Sequence, residues 1–288
     1  MKETNLNILS FDVEDGYQGF IKRGIPGWEQ FDFSEEKNIN IILELLAKSD
    51  TKATFFVLGK FAEKNSSMIK KIKKEGHEIA SHSYSHIVVP KLTPEEFRAD
   101  TRKSKLILED IIGETIIGYR APKWSLNHTV MWAFEILAEE GFQYDSSIFP
   151  SNLHEFGDSH YVKSPLVLNF DRLNLVEFPA GTLKIFGVNI PAAGGFYFRA
   201  YPYFVSKYAV GYSNKEKNYS MVYLHPFEFD ENPPRIKTGF LFGIVRYYNL
   251  NKTKINLEKM INHYTFTSIK NGLKEFKSLF NEKRNIFE

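Results

Sequence analysis

Ala80-Ser81-His82-Ser83-Tyr84-Ser85-His86 places two imidazoles four residues apart, directly after Glu78-Ile79-Ala80, a short run that reads as a strand. At that spacing both rings can converge on one metal ion, and neutral imidazole is the commonest side-chain metal ligand near pH 7. A histidine pair at the end of a strand sits where α/β enzymes keep their chemistry. A metal site of this kind still needs a carboxylate and an acid–base set from elsewhere in the chain.

Upstream, Lys52 to Gly59 (KATFFVLG) reads as a buried strand and Lys60 to Glu75 as a helix closed by Gly76. Before them, Ser34 to Ser49 carries helix punctuation. Ser34 is a candidate cap, Glu35 and Glu36 suit the first turn, and Ile39, Ile42, Leu43 and Leu46 form an apolar stripe. Leu6 to Phe11 is a first strand that runs into Asp12-Val13-Glu14-Asp15. Carboxylates this close repel one another unless solvent or a cation offsets the charge. A solvated acidic turn and a cation site are both open at this point.

Downstream, Thr93-Pro94-Glu95-Glu96 opens a helix with a capping box and runs to about Gly113. Ile116 to Tyr119 is a strand followed by Arg120-Ala121-Pro122-Lys123-Trp124, Asn127 to Gly141 a helix, and Phe142 to Tyr144 a strand ending in Asp145. Strand and helix thus alternate as in a parallel sheet or barrel, with Asp12, His82, Arg120 and Asp145 just beyond strand ends. From Ser146 to about Ser220 the alternation breaks, and Pro191 to Arg199 contains Gly194-Gly195. This region reads as strands and loops over the barrel mouth, with glycines allowing close backbone approach. Tyr219 to Leu224 is a further strand that delivers His225. Beyond it come a helix from Leu257, a short strand (His263 to Thr267) and a last helix to about Phe280.

Composition narrows the function classes. The chain has 288 residues, 43% hydrophobic and 25% charged, which suits one large domain with a sizeable core. A net charge of +2 implies no strong attraction to nucleic acid. With no cysteine, disulfides and thiolate metal sites are excluded, so any metal is held by histidines and carboxylates. No run approaches the ~18 apolar residues of a membrane span, and the first residues lack a signal peptide's pattern, so a cytoplasmic protein is expected. Aromatic residues reach 15%, with 26 Phe and 15 Tyr. Trp124, Phe196 and Tyr197 are candidates for stacking on a sugar, with burial as the competing account.

In order and spacing these segments resemble the polysaccharide deacetylases of carbohydrate esterase family 4, the NodB-homology domain, over roughly residues 6 to 230. The matching segments are Asp12-Val13-Glu14-Asp15, His82 to His86, Arg120-Ala121-Pro122, Asp145 and Leu224-His225. The closest resemblance is to the exopolysaccharide-locus subgroup, through Ala192 to Arg199 and Tyr223 to Glu228. The resemblance implies an α/β fold, an incomplete (β/α)7 barrel, formed by residues 1–288 as one domain. Residues 146–220 are then a cap-like insertion over the mouth and 231–288 a C-terminal extension.

The activity implied is metal-dependent removal of N-acetyl groups from amino sugars of a polysaccharide or saccharide precursor. The residue roles follow from the same resemblance. Asp12 is the base, Arg120 its ion-pair partner, and His225 the general acid, held by Asp145. His82, His86 and a third acid hold a divalent ion, zinc in preference to cobalt, nickel or manganese. Familiar first motifs have two acids, adjacent or two apart, whereas three stand here. Asp15 preserves the residue type and is preferred, with Glu14 the alternative. Pro122, Lys123, Trp124 and Leu224 are expected at the substrate, an N-acetylated saccharide, and a backbone N–H near Lys123 at the oxyanion. His77, His128, His154, His160 and His263 are read as structural or surface residues, with His154 and His160 near the mouth. Rival readings are a small-molecule amidase or imidase on the same barrel and an inactive sugar-binding scaffold. The oligomeric state is left open.

Overall fold

Among the described residues six strands are buried along their whole length, which in a parallel sheet means that both faces are covered. The computed structural model describes residues 6–285, apart from 22, 32, 34, 162, 172 and 216–218. The strands are β1 (Asn7–Val13), β2 (Thr54–Val57), β3 (Glu78–Ser81), β4 (Gly118–Tyr119), β5 (Tyr144–Asp145), β6 (Leu166–Phe170), β7 (Leu173–Glu177), β8 (Thr182–Ile185), β9 (Val188–Pro191) and β10 (Ser220–Leu224). Eight of them form one sheet in the order β10-β1-β2-β3-β4-β5-β7-β6. Every neighbouring pair is parallel except β6 with β7. Seven parallel strands from β10 to β7, curled but open between the ends, make the incomplete α/β barrel.

The elements expected around the histidine pair are present, with shifts that have local causes. Thr93 caps the helix Pro94–Ile112 through a complete capping box, and Gly113 ends it in the left-handed conformation at φ 70°. The helix expected over Lys60 to Glu75 is two, Gly59–Lys64 and Ser66–Lys74. They break at Asn65, whose side-chain amide donates to the Phe61 carbonyl at 2.9 Å and so competes with the helical ladder. The expected cap Ser34 lies outside the described residues, but the helix that follows it, Glu35–Lys48, buries Ile39, Ile42, Leu43 and Leu46 as the stripe required.

The stretch after Ser146 holds more order than its sequence suggested. β7 pairs parallel with β5 and is a barrel strand, β6 returns antiparallel beside it, and β8–β9 form a separate hairpin. Two helices follow, Gly195–Ala200 and Tyr203–Lys215. The expected strand at His263 to Thr267 is reduced to a bridge between Thr267 and Ile8, beside the helix that starts at Ile269. Among the described residues no helix is long and apolar enough to cross a membrane.

Close packing at β4 yields a stability prediction. A Cβ on Gly118 would lie 2.0 Å from the ring of Tyr144, which is fully buried and donates its hydroxyl to Glu78 at 2.8 Å. Gly118→Ala is expected to destabilise the fold by about 1–3 kcal/mol, the usual cost of overpacking. Denaturant unfolding would read it as a lower midpoint at unchanged slope.

Candidate active site

The site is assembled at the C-terminal ends of β1, β3, β4 and β10. In an extended chain, residues two apart share a face. Asp12 and Glu14 therefore both line the cavity at the barrel mouth. Asp15 does not line it and interacts with Tyr17. This corrects the preference for Asp15 beside the histidines: Glu14 is the acid brought to them. Its Oε2 lies 2.5 Å from His86 Nε2, and ligand atoms of Glu14, His82 and His86 all fall within 4.8 Å of one another.

The two imidazoles meet because the chain turns sharply after β3. His82 prolongs the ladder through its N–H to the Val57 carbonyl at 3.0 Å. Ser83 and His86 then adopt positive φ of 66° and 60°, a strained choice for side chains of their kind, at about 1–2 kcal/mol each. Asp100 holds the turn, accepting from the N–H groups of Tyr84 at 2.8 Å and Ser85 at 3.0 Å, and from the Ser85 hydroxyl. The His82 and His86 rings end 5.1 Å apart between centroids. His82 Nδ1 lies 2.9 Å from the Arg120 carbonyl, so donation there leaves Nε2 for a ligand. Burial lowers its pKa to about 4, which keeps the ring neutral as metal ligation requires.

Arg120, fully buried, organises the centre of the site. Its guanidinium pairs with Asp12 at 2.6 Å, donates to Ser10, to the Ser146 hydroxyl and to the Ser146 carbonyl, and lies between the rings of Phe56 and Trp124 at 3.9 and 4.1 Å. Burial alone would raise the Asp12 carboxyl. The charge of Arg120, helped by His82 and His225, outweighs it and holds Asp12 below the usual carboxylate range. The second Asp12 oxygen faces His225 Nε2 at 3.9 Å.

His225 is not held by Asp145, and this expectation is corrected. Its Nδ1 pairs with Glu228 Oε1 at 2.8 Å, and Glu228 is backed by Arg199 at 3.3 Å. Both the carboxylate and the guanidinium are buried. Burial opposes charge on the imidazole, but the bond to Glu228 and its charge prevail, so the His225 pKa is raised. Asp145 instead interacts with Glu177 and accepts from the Ser147 hydroxyl at 2.6 Å. Burial raises both carboxyls, Glu177 well above its ordinary value, where the neighbouring Asp145 charge pushes in the same direction. Asp145 thus braces the loop behind Arg120.

The cavity, about 290 Å³, is lined by Asp12, Glu14, His82, His86 and His225 and by Lys123, Trp124, His154, Glu155, Gly195, Phe196, Tyr197, Tyr223 and Val245. Of the expected substrate contacts, Lys123 and Trp124 reach it, and both carry positive φ, 55° and 54°. Pro122 and Leu224 do not, which corrects their placement. Leu224, the last residue of β10, points into the core because its chain neighbours Tyr223 and His225 take the cavity side. Gly194 bridges to Tyr223, where a Cβ would meet the Tyr223 ring at 2.1 Å, so only glycine lets this backbone approach. His154, read as structural or surface, lines the cavity and stacks on Phe149 at 4.4 Å.

Asp100, Arg199 and Glu228 are the functional residues missed in the sequence. Only Glu228 left a signal: His225-Pro226-Phe227-Glu228 has capping-box spacing with proline at the first position, and the structure forms that box.

A family model described as polysaccharide deacetylase matches residues 28–144, and one described as a domain of unknown function, DUF3473, matches residues 146–274. A peptidoglycan-N-acetylglucosamine deacetylase of Bacillus cereus is 38% identical over 95 residues, covering 33% of this chain and 34% of that protein. A peptidoglycan deacetylase of Helicobacter pylori is 31% identical over 131 residues, covering 46% of this chain and 42% of that one. The chain therefore spans less than half the length of these relatives. A crystal structure of a putative polysaccharide deacetylase from Mycobacterium smegmatis superposes with a TM-score of 0.67 at 19% identity, covering 96% of this chain and 91% of that one, which shows the shared fold.

Proposed function

We propose that this chain, whose residues 28–144 match the polysaccharide deacetylase family model, hydrolyses the N-acetyl group of an amino sugar within a polysaccharide or its precursor. The observation that carries this reading is the convergence of Asp12 and Glu14, which lie before the matched segment, and His225, which lies after it, on His82, His86 and Arg120 within it. Chance would not place an acid, a second acid–base group and a three-donor set in one cavity, with a buried guanidinium directly behind the acid.

Glu14, His82 and His86 would hold a divalent ion, and the donor set fits one: a carboxylate and two imidazoles, one kept neutral by burial. Nitrogen and oxygen donors of this type suit zinc. When bound, the ion would polarise the acetyl carbonyl and make water a stronger nucleophile near neutral pH.

The remaining chemistry belongs to the chain. Asp12, ionised beside Arg120, takes a proton from the water whose oxygen attacks the carbonyl carbon. His225 gives its proton to the sugar nitrogen as the carbon–nitrogen bond breaks, releasing acetate and the free amine. Glu228 fixes the tautomer and charge of His225, while Arg199 keeps Glu228 ionised. Phe196 and Tyr197, half-buried at the cavity wall, offer aromatic faces to a sugar ring, whereas Trp124 and Tyr223 are buried and pack behind it.

The test is acetate release from N-acetylated oligosaccharides, with and without a chelator, run beside small cyclic imides and formamides. Acetate release lost on chelation and restored by zinc supports the proposal. Turnover confined to the small amides would overturn it, and so would no turnover by metal-replete protein.

A raised His225 pKa means that the proton-bearing form persists above the ordinary histidine value and activity declines only as pH rises beyond it. Glu228→Gln removes the cause. Its activity is expected to fall by about 10²-fold, and the alkaline limb of its pH profile to move to lower pH. An unmoved limb in the variant would dissociate Glu228 from the acid.

A further inference from the structure

The geometry points to a second transition-metal site, built from His128, Asp158 and His160, none of which lines the cavity, and separate from the Glu14–His82–His86 set. One ligand atom from each of the three lies within 4.8 Å of the others. Asp158 Oδ2 faces His128 Nδ1 at 2.5 Å and Asp158 Oδ1 faces His160 Nδ1 at 2.7 Å. The ring centroids are 5.4 Å apart at an interplanar angle of 73°. The arrangement is tertiary, joining the turn His128–Val130 to a loop thirty residues further along the chain.

Burial and exposure are divided as a metal site needs. The Asp158 side chain is 1% exposed, whereas those of His128 and His160 are 60% and 81% exposed and open to an incoming ion. The backbone N–H groups of His128 and His160 each donate to Asp158 at 3.1 Å and fix its plane.

Two neutral imidazoles and one carboxylate form a nitrogen–oxygen set that suits zinc. Around a tetrahedral ion, ligand atoms sit about 3.3 Å apart, so the nitrogen–oxygen pairs at 2.5 and 2.7 Å open by about 0.6–0.8 Å as the exposed rings turn toward a shared ion. For Nδ1 to take zinc, each neutral ring carries its single proton on Nε2 instead, so the proton moves from one ring nitrogen to the other through solvent and the imidazole stays neutral.

The site has a clear consequence for the cavity. Asp158 ends the loop that brings His154 and Glu155 to its wall, where Glu155 pairs with Lys123 at 2.8 Å. Zinc at His128, Asp158 and His160 would pin that loop to the segment that follows Trp124.

Tag-free, chelator-stripped protein titrated with zinc alone tests this, with bound equivalents counted after desalting and zinc-induced thermal shift read in parallel. His82→Ala disables the inner set, so the outer one can be followed by itself. The expected result is one equivalent and a zinc-dependent rise in Tm for His82→Ala, both lost in His82→Ala/His128→Gln/His160→Gln. The exposed imidazoles of the added pair can be exchanged without disturbing the core, and an unchanged Tm in the absence of zinc would verify it. If His82→Ala binds no zinc, or binds it as tightly without His128 and His160 as with them, the three residues are a hydrogen-bonded staple and the site is refuted. Because the inner set is already disabled, neither result depends on the deacetylase reading.

Discussion

Asp12→Asn is expected to lower kcat by about 10²- to 10⁴-fold, the range usually lost with a general base. Zinc content and KM should stay close to those of the parent protein. Asparagine is nearly isosteric, but it cannot accept a proton from water at neutral pH. It also leaves Arg120 as an uncompensated buried charge, since the 2.6 Å ion pair with Asp12 is made by a guanidinium with no solvent exposure. A drop in stability should therefore accompany the loss of rate, as removing one partner of a buried pair typically costs about 3–5 kcal/mol. Acetate release assayed on metal-replete, folded variant separates the two effects. Near-normal turnover would remove Asp12 from the reaction, while a variant that had lost its zinc would place Asp12 among the ligands.

The second large effect concerns the neighbouring acids. Glu14→Gln is expected to weaken zinc binding at the inner site by more than about 100-fold, beyond the loss usual for a residue that only supports a ligand. Activity at stoichiometric zinc should vanish with it. Asp15→Asn should keep both, because Asp15 is turned toward Tyr17 and away from the imidazoles. Metal analysis of the two variants, each combined with His128→Gln/His160→Gln, isolates the inner site. The reverse pattern, with zinc lost in Asp15→Asn and kept in Glu14→Gln, would require the chain after β1 to run differently from the path seen here.

Much of this organisation was legible before any coordinates. Apolar runs of strand length, helices with caps at both ends, and polar residues just past each strand specify a parallel α/β barrel, because those signals are local and repeat. Capping, periodicity and glycine stops act within a few residues, so Thr93, Gly113 and the stripe from Ile39 to Leu46 could be read directly. His82, Arg120 and His225 were legible for the same reason, each directly following a strand, and Asp12 stands one residue before the end of β1; parallel strands deliver their ends to one rim.

Which acid faces the imidazoles, and which holds His225, only the tertiary structure decided. The first turns on strand phase, since one residue's difference in an extended chain reverses the side-chain direction and separates Glu14 from Asp15. The second turns on packing between distant segments: Arg199 reaches Glu228 from another element, and the Asp145 carboxyl is claimed by Glu177 across the β5–β7 pairing. β7 itself escaped notice because a strand following a long irregular loop carries no helix to announce it. Local sequence sets what each segment is, whereas the identity of a buried charge's partner depends on which segments fold against one another.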